Sequence, residues 1–234
     1  MGTQWSARLL WLGAILLCWQ LPLRAETLVV YGDDSYAPVI YLDAGKPAGT
    51  LVDILQAVGQ KTGEVYDLQL RPWKRAYEEA RSGQGALVGA SLTAERSALF
   101  DFSDPIYADD IQVVVRRDRA FVFNQLKDLK GKVMGGVIGA SYGQEVDQAI
   151  KDGLFTVDLD IGQSSRLLKL LAGRMDGALI GNGQAGFEAV LHSSPELLAQ
   201  RNQLLVLKTP LTRDMLYFAI PKSMNKRDAI ERFN

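Results

Sequence analysis

One cysteine and one histidine occur in the 234 residues, and both scarcities exclude chemistry. A Cys/His zinc site needs more such ligands than the chain owns, and a disulfide framework needs an even set of cysteines. Basic residues are scattered, with no run of five, and Lys+Arg 26 against Asp+Glu 27 leaves a formal net charge of -1. A dedicated nucleic-acid binder needs a basic face to displace counterions from phosphate, so no nucleic-acid partner is expected. What is present is a chain 47% hydrophobic, 23% charged and 9% aromatic. That composition is too apolar for disorder, and the length allows one large domain or two of roughly 100 residues.

The longest apolar run, Leu9 to Trp19, follows Arg8 and is broken by Gln20 and Pro22, with a small residue at Ala25. It has about half the ~20 residues a transmembrane anchor needs. Charged start, short apolar run and small residue are the parts of a secretory signal over residues 1–25. Leu17 before Cys18 is too large for a lipoprotein signal, so export without a lipid anchor is expected. Removing Arg8 and Arg24 with that segment leaves 209 residues, no cysteine, and 24 basic against 27 acidic residues, a net -3. A cysteine-free exported chain of this size suits the periplasm.

After residue 25 the pattern alternates. Thr27 to Tyr31 is a β-branched run closed by Gly32-Asp33-Asp34, and Thr50 with Asp53 predicts an N-cap for an amphipathic helix that stops at Gly63. Strands are expected at 66–70 and 86–88 with a helix over 72–81 between them. The alternation restarts with strands at 111–115, 132–138, 156–159, 177–180 and 204–207 and helices near 142–150 and 164–172. The charged stretch 116–131 reads as a linker. Such alternation predicts an α/β fold of mostly parallel sheets flanked by helices. The chain stops within an amphipathic pattern, Asp228 to Asn234, without a Gly or Pro to mark a helix end.

The most informative stretch is Ser91-Leu92-Thr93-Ala94-Glu95-Arg96, followed by Asp101-Phe102-Ser103-Asp104-Pro105-Ile106-Tyr107. With Tyr36-Ala37-Pro38, Leu129-Lys130-Gly131-Lys132-Val133, Gly139-Ala140-Ser141 and Leu171-Ala172-Gly173-Arg174-Met175-Asp176-Gly177-Ala178, it resembles the type II periplasmic solute-binding proteins of polar amino-acid transporters, the family 3 extracellular solute-binding proteins. The matches run in the family's order from residue 27 to about 222. The resemblance implies two lobes joined by hinge strands, with 26–110 and the returning 213–234 in one and 111–212 in the other. It also implies a ligand in the cleft between them, a membrane permease as partner, a monomer, no metal, no cofactor and no catalysis.

The residues allow a physical reading beside the resemblance. A planar guanidinium at Arg96 next to Ser91, behind a Thr93 cap, suits a bidentate grip on a carboxylate. Arg96 could equally be an ion-pair partner of Glu95 or Asp101. Gly139-Ala140-Ser141 lies between a strand and a helix, where free N–H groups favour an anion, although a plain turn fits as well. Tyr36 follows the first strand at the end where open α/β sheets bind ligands, with core packing as its rival. Asp33 could meet a cation or cap its own turn. Gly89, Ala140 and Gly181 are candidates for backbone contacts. Trp73 and Tyr107 read as packing residues.

Gly181-Asn182-Gly183-Gln184-Ala185-Gly186 matches a dinucleotide fingerprint by letter, but no acid follows about 20 positions on. His192 has no nucleophile motif near it. In the family an Asp five residues after Asp176 would hold the ligand ammonium, and that position is Gly181. The usual aromatic after Gly49 is replaced by Thr50, and Gln84-Gly85-Ala86 replaces a Gly-x-x-Asp-Ala. Carboxylate recognition is therefore expected to survive better than amine recognition. Two rivals share the fold: an enzyme of cyclohexadienyl dehydratase type, and a sensor domain.

Overall fold

The computed structural model describes residues 27–234. The signal over residues 1–25 lies outside the described residues. The elements in chain order are β1 (Thr27–Asp33), β2 (Ser35–Tyr36), β3 (Ile40–Asp43), β4 (Lys46–Ala48), α1 (Thr50–Thr62), β5 (Val65–Arg71), α2 (Trp73–Arg81), β6 (Ala86–Ser91), α3 (Ala94–Leu99) and β7 (Phe100–Arg116). There follow β8 (Val133–Val137), α4 (Gln144–Lys151), β9 (Thr156–Asp160), α5 (Gln163–Leu171), β10 (Gly177–Ile180), α6 (Gly183–His192), α7 (Pro195–Ala199), β11 (Leu204–Val206), β12 (Thr212–Pro221) and α8 (Arg227–Phe233).

The main sheet runs β5-β1-β6-β12-β7-β10-β8-β9, with β11 on β7. β1 pairs in parallel with β5 and β6, and β8 in parallel with β9 and β10. Between these parallel sets lie the antiparallel neighbours β12 and β7, paired from Thr212↔Ile111 to Pro221↔Phe100. These two strands carry the chain through both halves of the sheet. The α/β architecture expected from the alternation is present.

Each half buries its own apolar residues. In the first, Leu28, Val30, Leu51 and Leu55 pack with Phe218 and α8, and Trp73, Ala76, Leu87 and Phe100 fill the opposite face of the sheet. Phe233 stacks on Phe218 at 4.4 Å, a contact worth about 0.5–1.5 kcal/mol beyond area burial. It ties the last helix to β12. In the second half Ile111, Val113, Met134 and Phe155 cover one face, and Leu167, Leu170, Ile180 and Leu191 the other.

Several local expectations are corrected. Gly49, not Thr50, is the cap of α1, and no side chain bonds there; Thr50 is the first helical residue. The stretch 116–131 is packed, not a loose linker, since Phe123 and Leu129 are buried in the second half. β7 is 17 residues long and reaches back through the Asp101 to Tyr107 motif. A bulge near Tyr217 shifts its register against β12.

Candidate functional site

The hinge strands β7 and β12 form the floor of a cavity of about 80 Å³. Asp33, Tyr36, Trp73, Gly89 and Ser91 line it from the first half, Asp109, Ile111, Asp214 and Leu216 from the strands, and Ala140, Ser141, Tyr142, Gln163, Arg166 and Gly181 from the second. It stands at the carboxyl ends of β1, β6, β8 and β10, where an open α/β sheet leaves room for a ligand. Of the residues the sequence singled out, Asp33, Tyr36, Gly89, Ser91, Ala140, Ser141 and Gly181 line this cavity. Arg96 and Thr93 do not. They line a neighbouring depression together with Ala140 and Ser141.

Arg96 is 6% exposed and already engaged. Its Nη1–H donates to the Ser91 carbonyl at 3.1 Å and its Nη2–H to the Gly139 carbonyl at 3.2 Å. The guanidinium lies over Tyr77 at 5.1 Å and Trp73 at 5.7 Å. These donors go to carbonyls, and among the described residues Arg96 forms no ion pair with Glu95 or Asp101. Trp73 Nε1–H also donates to the Gly139 carbonyl, at 3.0 Å. Two donors of the first half thus hold one acceptor of the second. Thr93 accepts the Arg96 N–H and caps α3 as expected.

The Gly139-Ala140-Ser141 turn also holds an anion of its own. Asp147, in the first turn of α4, accepts the Tyr142 N–H at 2.9 Å and the Ser141 hydroxyl. The Ser141 oxygen in turn accepts the Gly143 N–H at 3.2 Å. A carboxylate here is favoured by the helix start, and the chain itself supplies one in Asp147.

The acidic side of the cavity is less expected. Asp109 and Asp214 are direct cross-strand partners on β7 and β12. One position along, Asp110 and Arg213 are also opposite each other and form an ion pair at 3.0 Å. Opposite charges meet on one face of the ladder and like charges on the other, where direct opposition is destabilising. Asp109 is 2% exposed, and its carboxylate accepts the Tyr36 hydroxyl and the Asn182 N–H. Burial raises its pKa, while those two donors pull it down. Burial pushes Asp214 up to about 6; Asp109 and Asp147 add to this, whereas the Ser91 hydroxyl and Arg96 oppose it. Asp33 is pushed up to about 6 by burial, against hydrogen bonds from the Ser35 N–H and hydroxyl. It is both a local cap and a cavity residue.

Gly181 faces the same cluster. A Cβ there would stand 1.7 Å from the Tyr36 hydroxyl oxygen, so Tyr36 occupies the space a side chain at 181 would need. The acid missing at 181 has a neighbour in Asp109, which Tyr36 and the adjoining Asn182 N–H both hold. Tyr107, read as packing, donates its hydroxyl to the Asn182 side-chain oxygen.

Sequence reasoning missed Gln163, Arg166, Asp109 and Asp214. Arg166 is 1% exposed, and it grips Asp160 through Nε at 3.1 Å and Nη2 at 2.9 Å while Nη1 donates to the Leu179 carbonyl. Its charge is matched behind the wall. Gln163, at the start of α5, is 5% exposed, and neither of its amide atoms has a hydrogen-bond partner among the described residues. A buried amide left so costs about 1–3 kcal/mol. For Asp109 the signal was available: Asp109, Ile111 and Val113 alternate on one strand face, placing an acid among buried apolar residues.

The letter match to a dinucleotide fingerprint is explained by packing. A Cβ at Gly186 would stand 1.9 Å from the Gly181 carbonyl oxygen, so α6 meets the preceding turn only through glycine. Among the described residues no helix is long and apolar enough to cross a membrane.

This is the two-lobed α/β fold of the type II periplasmic binding proteins, with its cavity on the hinge strands. The chain belongs to the bacterial extracellular solute-binding proteins, family 3, whose model matches residues 28–209. It is 25% identical over 141 residues to the probable amino-acid-binding protein YxeM of Bacillus subtilis (strain 168), covering 59% of this chain and 53% of that one. The chain spans about half the length of the curated relatives it matches. Among solved structures, a histidine kinase sensor domain with similarity to periplasmic binding proteins matches at TM-score 0.75 and 22% identity, over 90% of this chain and 88% of that one. The arginine-bound form of truncated ArgBP from T. maritima matches at TM-score 0.71 and 23% identity, over 89% and 93%.

Proposed function

We propose that the protein is exported to the periplasm, binds one small organic ligand between its lobes, and presents the closed form to the membrane permease of an ABC transporter. The ligand is an amino acid or a closely related amine, and the protein acts as a monomer without turnover. The observation that carries this is the cavity on β7 and β12, where Asp33, Asp109 and Asp214 meet hydroxyls and backbone of both halves. A cleft built on two crossing strands changes volume when those strands bend, so ligand contact and lobe closure are one event. In this reading Tyr36, Asp33, Gly89, Ser91, Ala140, Ser141 and Gly181 surround the ligand, and Arg96 and Thr93 form the adjoining rim. Membership of the family and the name of the relative YxeM support an amino-acid-like ligand.

A thermal-shift screen of amino acids, amines and dicarboxylates tests it. A ligand at 100 times its Kd adds about 2.7 kcal/mol, which for this size raises Tm by roughly 5–10 °C. A panel with no such hit refutes the reading, and turnover of prephenate or arogenate replaces it with the dehydratase. Co-purification with a receptor instead of a permease favours the sensor, whose fold this chain shares.

A further inference from the structure

We infer that the ligand is a small organic amine without a carboxylate, its cationic nitrogen held between Asp109 and Asp214 and a polar group held by Gln163. This rests on the proposed solute-binding reading and narrows its ligand class.

Three independent observations lead there. The first is the ladder: the outward pair on β7 and β12 is Asp110 with Arg213, joined at 3.0 Å, and the cavity-facing pair is Asp109 with Asp214. The chain matches charge on the outer face and leaves two acids opposite each other on the inner one. Arg166, on the cavity wall, cannot neutralise them because Asp160 already holds it in two places. The second is Gln163, buried, on the same cavity, with a free donor and a free acceptor among the described residues. The third is the fate of the anion sites. Arg96 gives one N–H of each Nη to a carbonyl and does not line this cavity, and Asp147 fills the turn at Ser141. In this cavity a ligand carboxylate would face Asp109 and Asp214 with Arg166 already paired to Asp160, whereas a ligand cation would relieve a repulsion.

Isothermal titration of the protein with matched pairs tests this: putrescine against ornithine, cadaverine against lysine, agmatine against arginine, all at pH 8. At least one amine is expected to bind tenfold or more tightly than its amino acid. Asp214→Asn and Asp109→Asn should each weaken that amine by at least tenfold, the range of a lost charge-assisted bond. Asp110→Asn, on the outer face, should leave it within twofold. Circular dichroism shows that each variant is folded, and the two Asn variants report independently. Tighter binding of the amino acid in all three pairs overturns the inference, as does undiminished amine binding by both Asn variants. In either case a ligand is bound and the solute-binding reading survives. Absence of binding by any of the six overturns the inference, and the wider screen then decides the parent reading.

Discussion

Replacing Asp214 by Asn should stabilise the ligand-free protein at pH 8 and do so only about a third as much at pH 4.5. The carboxyl titrates at about 6 in the folded state, against an ordinary value of 3.8. Its folded pKa is raised, so the folded state binds more protons than the unfolded chain between about pH 4 and 6. Stability from this group is therefore present below pH 4, falls as pH rises to about 6, and stays lost above it. A shift of about two units corresponds to roughly 3 kcal/mol. Asp214 is only partly buried, and solvent screening reduces this to about 1–2 kcal/mol.

Asn has nearly the same shape and cannot ionise, so the variant escapes that cost. At 2–4 °C per kcal/mol the gain in Tm at pH 8 should be about 2–6 °C. Asp33 and Asp109 also have raised values and contribute their own pH slope in both proteins. The informative quantity is the wild-type-minus-variant difference, measured by urea denaturation at pH 4.5, 6 and 8. A variant less stable than wild type at pH 8, or equally stabilised at all three pH values, would show that charge at Asp214 is not the cause.

Gly181→Ala drives a methyl group into the Tyr36 hydroxyl and so breaks the Tyr36–Asp109 bond. A loss of about 2 kcal/mol is expected, and in a double-mutant cycle Tyr36→Ala should cost less in the Gly181→Ala background than in wild type. Arg166→Met leaves Asp160 buried without a counter-charge, only the Gly162 N–H still bonding it, and should cost about 3–5 kcal/mol by denaturation; Asp160→Asn in the same chain should recover part of it. Trp73→Phe keeps the ring and loses the N–H to Gly139, about 1 kcal/mol of the bond between the halves. Small-angle scattering should then show a larger radius of gyration, and an unchanged curve would mean that this bond does not help hold the cleft shut.

Much of the architecture was legible because it depends on periodicity. β1, α1, β5, α2, β8, α4 and α5 stand within a few residues of where apolar spacing and glycine stops put them. The hinge was not legible. β7 passes from one half to the other through Asp101, Asp104, Pro105, Asp109 and Asp110, so no single apolar pattern marks its 17 residues. β12 begins with Thr212-Arg213-Asp214, a charged start that hid a strand whose partner lies about 100 residues away. The site divides in the same way. Tyr36, Gly89, Ser91, Ala140, Ser141 and Gly181 were visible as turn-adjacent residues of a known pattern. Asp214 and Gln163 have meaning only through what lies opposite them in space, which no local motif reports.

The same distinction decides how Arg96 should be read. An arginine next to a serine is a carboxylate site only where free N–H groups face the ligand; here one N–H of each Nη goes to a carbonyl, the faces lie near Trp73 and Tyr77, and the side chain does not line the cavity on β7 and β12. Releasing it for a ligand means breaking a charge-assisted bond to Gly139, worth about 1.5–3 kcal/mol, and that bond also joins the two halves. A carboxylate that displaced the Gly139 carbonyl from Arg96 would work against closure unless it replaced that carbonyl as the bridge. A cation between Asp109 and Asp214 would join the Tyr36 hydroxyl and the Asn182 N–H that Asp109 already accepts, and would lower the repulsion between the two acids. In the proposed reading ligand charge acts on the strands that join the two halves, while the Arg96 bond to Gly139 joins those halves without a ligand.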